Sequence, residues 1–129
     1  QFFRLFLKKN NPEPGMEDLN EERLKTFLAL PKKVLLKFLA QDPEMNLVPL
    51  FGKITAPVLL IHGELDLNVD PKHTDYAAGQ IPDALVYKFP RAGHNPWLTG
   101  LAEFCDVVRQ FVETGEVEGA QRRGLPERG

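Results

Sequence analysis

Val58-Leu59-Leu60-Ile61, entered from Pro57 and left at His62-Gly63, constrains the fold more than any other stretch of this chain. Successive side chains of a strand point to opposite faces, so four apolar residues in a row demand cover on both. That is the pattern of a parallel strand held between helices. A second β-favouring segment, Ala84 to Phe89, carries Leu85, Val86, Tyr87 and Phe89. Between the two, Asp70-Pro71 reads as N-cap and first position of a helix carrying Tyr76, Ala77 and Ala78, with Ile81-Pro82-Asp83 as the turn that follows. Beyond them, Leu101, Phe104, Cys105, Val108, Phe111 and Val112 recur at helical spacing, and Gly115 suits the C-terminal cap. The order is βαβα, an α/β class unit whose strands should run parallel through a right-handed crossover. Two strands do not make a stable parallel sheet alone, so the unit reads as the end of a larger one.

The first 50 residues show a different period. Gln1 to Leu7 is rich in Phe and Leu, and Lys8-Lys9-Asn10 suits a helix C-terminus. Asn11 to Gly15 holds two prolines and reads as a loop. Asp18 and Glu21 resemble a capping box, with Leu24, Phe27 and Leu28 on one face behind it. Pro31 closes that helix and opens another striped by Val34, Leu35, Phe38 and Leu39, which Asp42-Pro43 ends. The division expected is 1–50 helical, 51–116 α/β, and 117–129 a disordered tail, its glycines, prolines and charges leaving little to bury.

Composition narrows the function. Sixteen Lys+Arg against eighteen Asp+Glu give a net charge of -2, with no general pull toward nucleic acid or an anionic membrane. The apolar runs are too short to span a bilayer. One cysteine, Cys105, excludes an intrachain disulfide and a cysteine-rich zinc site, and makes a reducing, cytoplasmic setting the default. There is no serine among the 129 residues. The chain begins at Gln1 rather than methionine, and the expectation is a processed, trimmed or partial chain.

Sites in open α/β sheets lie beyond the carboxyl ends of the strands. Two loops occupy that place, His62-Gly63-Glu64-Leu65-Asp66 and Pro90-Arg91-Ala92-Gly93-His94. An acid and a histidine reaching one cleft are the orienting and base members of a nucleophile–base–acid triad. The candidates are Asp66 and His94, with Glu64 and Asp70 as alternative acids. His62 reads as packed at the strand end, His73 as an exposed helix residue and Cys105 as core. Phe2, Phe3 and Phe6 suit core or lid surface, and Arg122, Arg123 and Arg128 a solvated end. His and Asp lack ligand spacing on one element, so no metal is assigned.

Ile54-Thr55-Ala56-Pro57-Val58-Leu59-Leu60-Ile61-His62-Gly63-Glu64-Leu65-Asp66 resembles the strand and acid loop of the α/β-hydrolase family, and Ala92-Gly93-His94 its histidine loop. The acid-to-histidine gap, 94 − 66 = 28, is close to the family's. The resemblance covers about residues 47–113 and makes residues 1–46 lid material. It implies the C-terminal part of a parallel hydrolase sheet, Asp66 and His94 as catalytic residues, a small-molecule ester or related substrate, and no cofactor. The family's order is nucleophile, acid, histidine. The nucleophile and oxyanion hole, which the family carries in its N-terminal half, have no match here. The partner implied is therefore that missing half of the sheet, and the chain alone should be inactive and prone to associate. The alternative is a non-catalytic hydrolase-like fragment or binding protein.

Overall fold

The apolar run forms β1 (Val58–Gly63), and β2 (Ala84–Phe89) lies parallel beside it, Val58 opposite Ala84 and Gly63 opposite Phe89. A short β3 (Gln121–Arg123) runs antiparallel along the far side of β2, giving the order β1-β2-β3. The computed structural model describes residues 1–40 and 46–123, apart from the side chain of Phe38. The fold is mixed α/β, and no described helix is long and apolar enough to cross a membrane.

The strand alternation sorts the core into two layers. Val58, Leu60, Ala84 and Val86 face α5 (Lys72–Gln80), where they pack with Ala78, Ile81 and with Phe51 and Ile54. Leu59, Ile61, Leu85, Tyr87 and Phe89 face α7 (Leu101–Thr114) and pack with Phe104, Val107 and Phe111. Both faces of the two parallel strands are thus covered, as continuous apolar strands require. β2, paired on both sides, buries Ala84, Leu85 and Val86. β1 pairs only with β2 among the described residues, and its Val58 to Ile61 stay half-buried.

The helical segment holds α1 (Phe2–Asn10), α2 (Glu17–Ala29) and α3 (Lys32–Leu39); α4 (Val48–Phe51) and α6 (Pro96–Thr99) are single turns. Phe3 stacks on Phe27, with Phe2 and Phe6 against them.

Several expectations need correction. Met16, not Asp18, is the N-cap of α2; Asp18 lies within the first turn, and Glu21 pairs with Arg4 instead of closing a capping box. Of the face Leu24, Phe27 and Leu28, Leu24 is buried but Leu28 is exposed. Pro71 is the N-cap of α5, and Asp70 Oδ1 accepts from Lys72 N (2.9 Å) one residue earlier. Cys105 is exposed, because α7 meets the sheet along a face centred on Val107, which turns Leu101, Cys105 and Val112 outward. Residues 117–123 are ordered rather than a loose tail. Val117 is buried in the α7-side core, and Arg122 pairs with Asp83 and Glu116. The expected helix end at Asp42-Pro43, and Arg128, lie outside the described residues.

Candidate active site

Because β1 and β2 end level, the loops that follow them emerge side by side. They touch backbone to backbone: Glu64 N donates to Phe89 O and Leu65 N to Ala92 O, both at 2.9 Å. Gly63 permits this. A Cβ there would stand 1.9 Å from Gly93 O and 2.3 Å from Ala92 O, so no larger residue fits the crossing.

Asp66 sits in the tight turn after Gly63, where its own N–H donates to Gly63 O (3.1 Å). Its Oδ1 accepts from Asn68 N (2.8 Å) and Val69 N (2.9 Å), an Asx-type arrangement that fixes the carboxylate. Its Oδ2 accepts from His94 Nδ1 at 2.7 Å. The Asp66 side chain is 2% exposed and that of His94 41% exposed. A buried carboxylate needs its oxygens occupied, and here both are. Since a carboxylate only accepts, Nδ1 carries the hydrogen. No described residue hydrogen-bonds His94 Nε2. The structure thus brings Asp66 and His94 together, while Glu64 and Asp70 are exposed and hold no imidazole.

His62 is buried behind the acid. Its Nε2 donates to Val69 O (3.0 Å) and its Nδ1 meets the Thr74 hydroxyl at 2.6 Å, so it ties the acid loop to α5. Its Nε2 also lies 3.5 Å from Asp66 Oδ2. His73 is exposed, as expected. Among the described residues no group of three or more His, Cys, Asp and Glu is placed to hold a metal ion.

His94 lines two cavities. One, about 400 Å³, is walled by Phe6, Leu7, Phe27 and Leu30 of the helical segment, with Arg23 also lining it. The other, about 290 Å³, lies beside Leu60, Ile61, Asp66 and Thr74. An imidazole that lines both an apolar pocket and a pocket at the strand ends can act on a bond presented there.

No family model matches the chain, and no solved structure does. Among curated proteins, it is 32% identical over 65 residues to the pimeloyl-[acyl-carrier protein] methyl ester esterase of Chromobacterium violaceum, covering 50% of this chain and 26% of that protein. It is 32% identical over 79 residues to the enzyme of the same name from Neisseria meningitidis, covering 60% and 25%. An uncharacterised protein of Mycobacterium bovis matches at 32% over 76 residues, covering 57% and 22%. The chain spans about a quarter of the length of these relatives. The esterases are α/β-hydrolases, so the likeness supports that superfamily and a hydrolase character at a coarse level.

Neither the helix end at Asn10 nor the loop from Asn11 carries a functional signal in the sequence, yet residues 10–13 hold the histidine loop in place. Asn10 O accepts from His94 N (2.7 Å), and Asn11 Oδ1 from Asn95 Nδ2 (2.8 Å). Glu13, buried between two prolines, accepts from Gly93 N. These partners are main-chain groups and amides far along the chain, which no local pattern signals.

Proposed function

We propose that this chain is the C-terminal part of an α/β-hydrolase, with Asp66 and His94 as the acid and base of a nucleophile–acid–histidine triad acting on an ester. The observation that carries the reading is the 2.7 Å bond from His94 Nδ1 to a carboxylate whose other oxygen is already held by two backbone amides. In that role His94 Nε2 takes the proton of a nucleophile as it attacks the ester carbonyl, then returns it to the departing alcohol. Asp66 holds the ring in the Nδ1–H tautomer and stabilises the imidazolium formed on the way.

The nucleophile comes from another part of the protein. The 129 residues hold no serine, and Cys105 lines neither cavity beside His94. The edge of β1 that no other described strand pairs is where the remaining strands of a hydrolase sheet would join. The esterases among the relatives favour ester cleavage over other reactions that the fold hosts.

The test is hydrolysis of short- and medium-chain activated esters by the intact protein. His94→Ala and Asp66→Asn should each lower kcat roughly 10³–10⁴-fold with the fold intact. A His94→Ala protein as active as the parent overturns the reading, and an intact protein inert toward every ester supports a non-catalytic relative.

A further inference from the structure

Glu13 is a buried acid that the proposed chemistry does not use. It is 6% exposed and lies in the loop between α1 and α2, flanked by Pro12 and Pro14, which restrict its backbone. Burying a carboxylate is costly unless it is bonded, and bonds from backbone amides to a charged oxygen are among the stronger ones. Glu13 Oε1 accepts from Gly93 N, 80 residues away. Its Oε2 has no partner among the described residues. The fit is close: a Cβ at Gly93 would stand 2.4 Å from Asn10 O, 2.6 Å from Pro12 Cδ and 3.0 Å from Glu13 Oε2.

The neighbouring bonds form a series. Gly93, His94 and Asn95 are consecutive, and each is held by one residue from the end of α1 or the loop after it, through Glu13, Asn10 and Asn11 respectively. The end of α1 also steadies the acid side, where Leu67 N donates to Lys9 O (3.2 Å). Asp66 fixes the ring of His94, while residues 10–13 fix its main chain. With 41% of the side chain exposed, packing alone does not set where Nε2 points.

We infer that Glu13 is a positioning residue for His94: its carboxylate, by holding Gly93 N, sets the main chain from which the imidazole meets the nucleophile's proton. The inference rests on the triad reading and adds that the helical segment supplies catalytic geometry as well as a pocket wall. A displacement of about 1 Å at a reacting group can cost on the order of 100-fold in rate, so loosening this bond should act on kcat.

Three variants of the intact protein test it, read by ester hydrolysis and by the proton spectrum at low temperature. The His94 Nδ1–H bonded to Asp66 gives a far-downfield resonance, assigned by its loss in His94→Gln. Glu13→Ala should lower kcat by roughly 10-fold or more with KM within about 2-fold, and shift or broaden that resonance while melting stays cooperative. Glu13→Gln keeps the accepting oxygen and loses no bond at Oε2, so it should restore kcat to within about 3-fold and return the resonance. If Glu13→Ala does not fold, Glu13→Asp, whose carboxylate stops one methylene short, takes its place. A folded Ala or Asp variant with parental kcat and an unmoved resonance overturns the inference. A parent that shows the resonance but hydrolyses no ester removes the triad reading, and the resonance still decides the role of Glu13.

Discussion

The sheet unit and the helical segment are built on different terms. Between residues 58 and 123, two apolar layers close over both faces of β1 and β2, and Ala78, Ala84 and Val86 lie at or near complete burial. Between residues 2 and 39 only Leu7 and Leu24 among the described apolar side chains are buried, and neither lies in α3. Yet the sparsely packed segment bonds directly to the histidine loop, through Asn10, Asn11 and Glu13. The difference teaches that stability and the placement of His94 draw on different parts: burial in the sheet holds the fold, and a few hydrogen bonds from residues 10–13 join Asp66 in holding the histidine loop.

Substitutions at glycine should break that division most sharply. A Cβ at Gly63 would strike two carbonyl oxygens that belong to backbone, which cannot swing aside as a side chain could. Gly63→Ala should therefore cost several kcal/mol, about 3 or more by the scale of severe backbone clashes, and separate Asp66 from His94 as well. Gly79→Ala, in α5 with nothing within 4 Å of the new Cβ, should be neutral or stabilising by up to about 1 kcal/mol. Denaturant unfolding measures both, and equal effects would show that the loop crossing is softer than its geometry.

Core truncation sharpens the same contrast at smaller size. Val86 is 2% exposed in the central strand, and Val86→Ala removes two methyl groups from a packed layer, about 2 kcal/mol. Leu36 in α3 is 57% exposed, and Leu36→Ala should stay within about 0.5 kcal/mol. A large loss at Leu36 would mean that α3 is covered in the intact protein, and the segment would then owe its stability to burial after all.

These regions also differed in how far the sequence could be read. The bounds of β2 were legible because a β-favouring run sits between Pro82 and Pro90. The meeting of Asp66 and His94 was legible because parallel strands that end level must bring their following loops to one edge. The face of α7 was not. Its apolar stripe is wider than the strip the sheet covers, and periodicity does not say which half is used, so the stripe includes Cys105 although the sheet does not cover it. β3 was hidden because Gln121-Arg122-Arg123 has no strand pattern; Val117 and the pairs of Arg122 with Asp83 and Glu116 hold it. The role of Glu13 was hidden because its partner is a main-chain amide.

The smallest effect lies at the rim of the sheet unit, where β2 meets α7. The Tyr87 hydroxyl donates to Glu103 Oε1 at 2.8 Å. That bond, then partial burial, then the negative charges of Glu103 and Glu118, raise the Tyr87 pKa above its ordinary 10.0. A phenol whose pKa is higher folded than unfolded adds stability that is fully present below about pH 10 and fades as pH rises through the folded value. The group is largely solvated, so the gain is small, and Tyr87→Phe should cost at most about 1 kcal/mol at neutral pH. The difference in phenolate absorbance between the parent and Tyr87→Phe follows Tyr87 alone. Glu103→Ala should bring its midpoint down toward 10, because the accepting oxygen and the carboxylate charge that opposed the phenolate go together. A midpoint that does not move in Glu103→Ala would assign the shift to burial, and the sheet unit would then be held by packing right out to its rim.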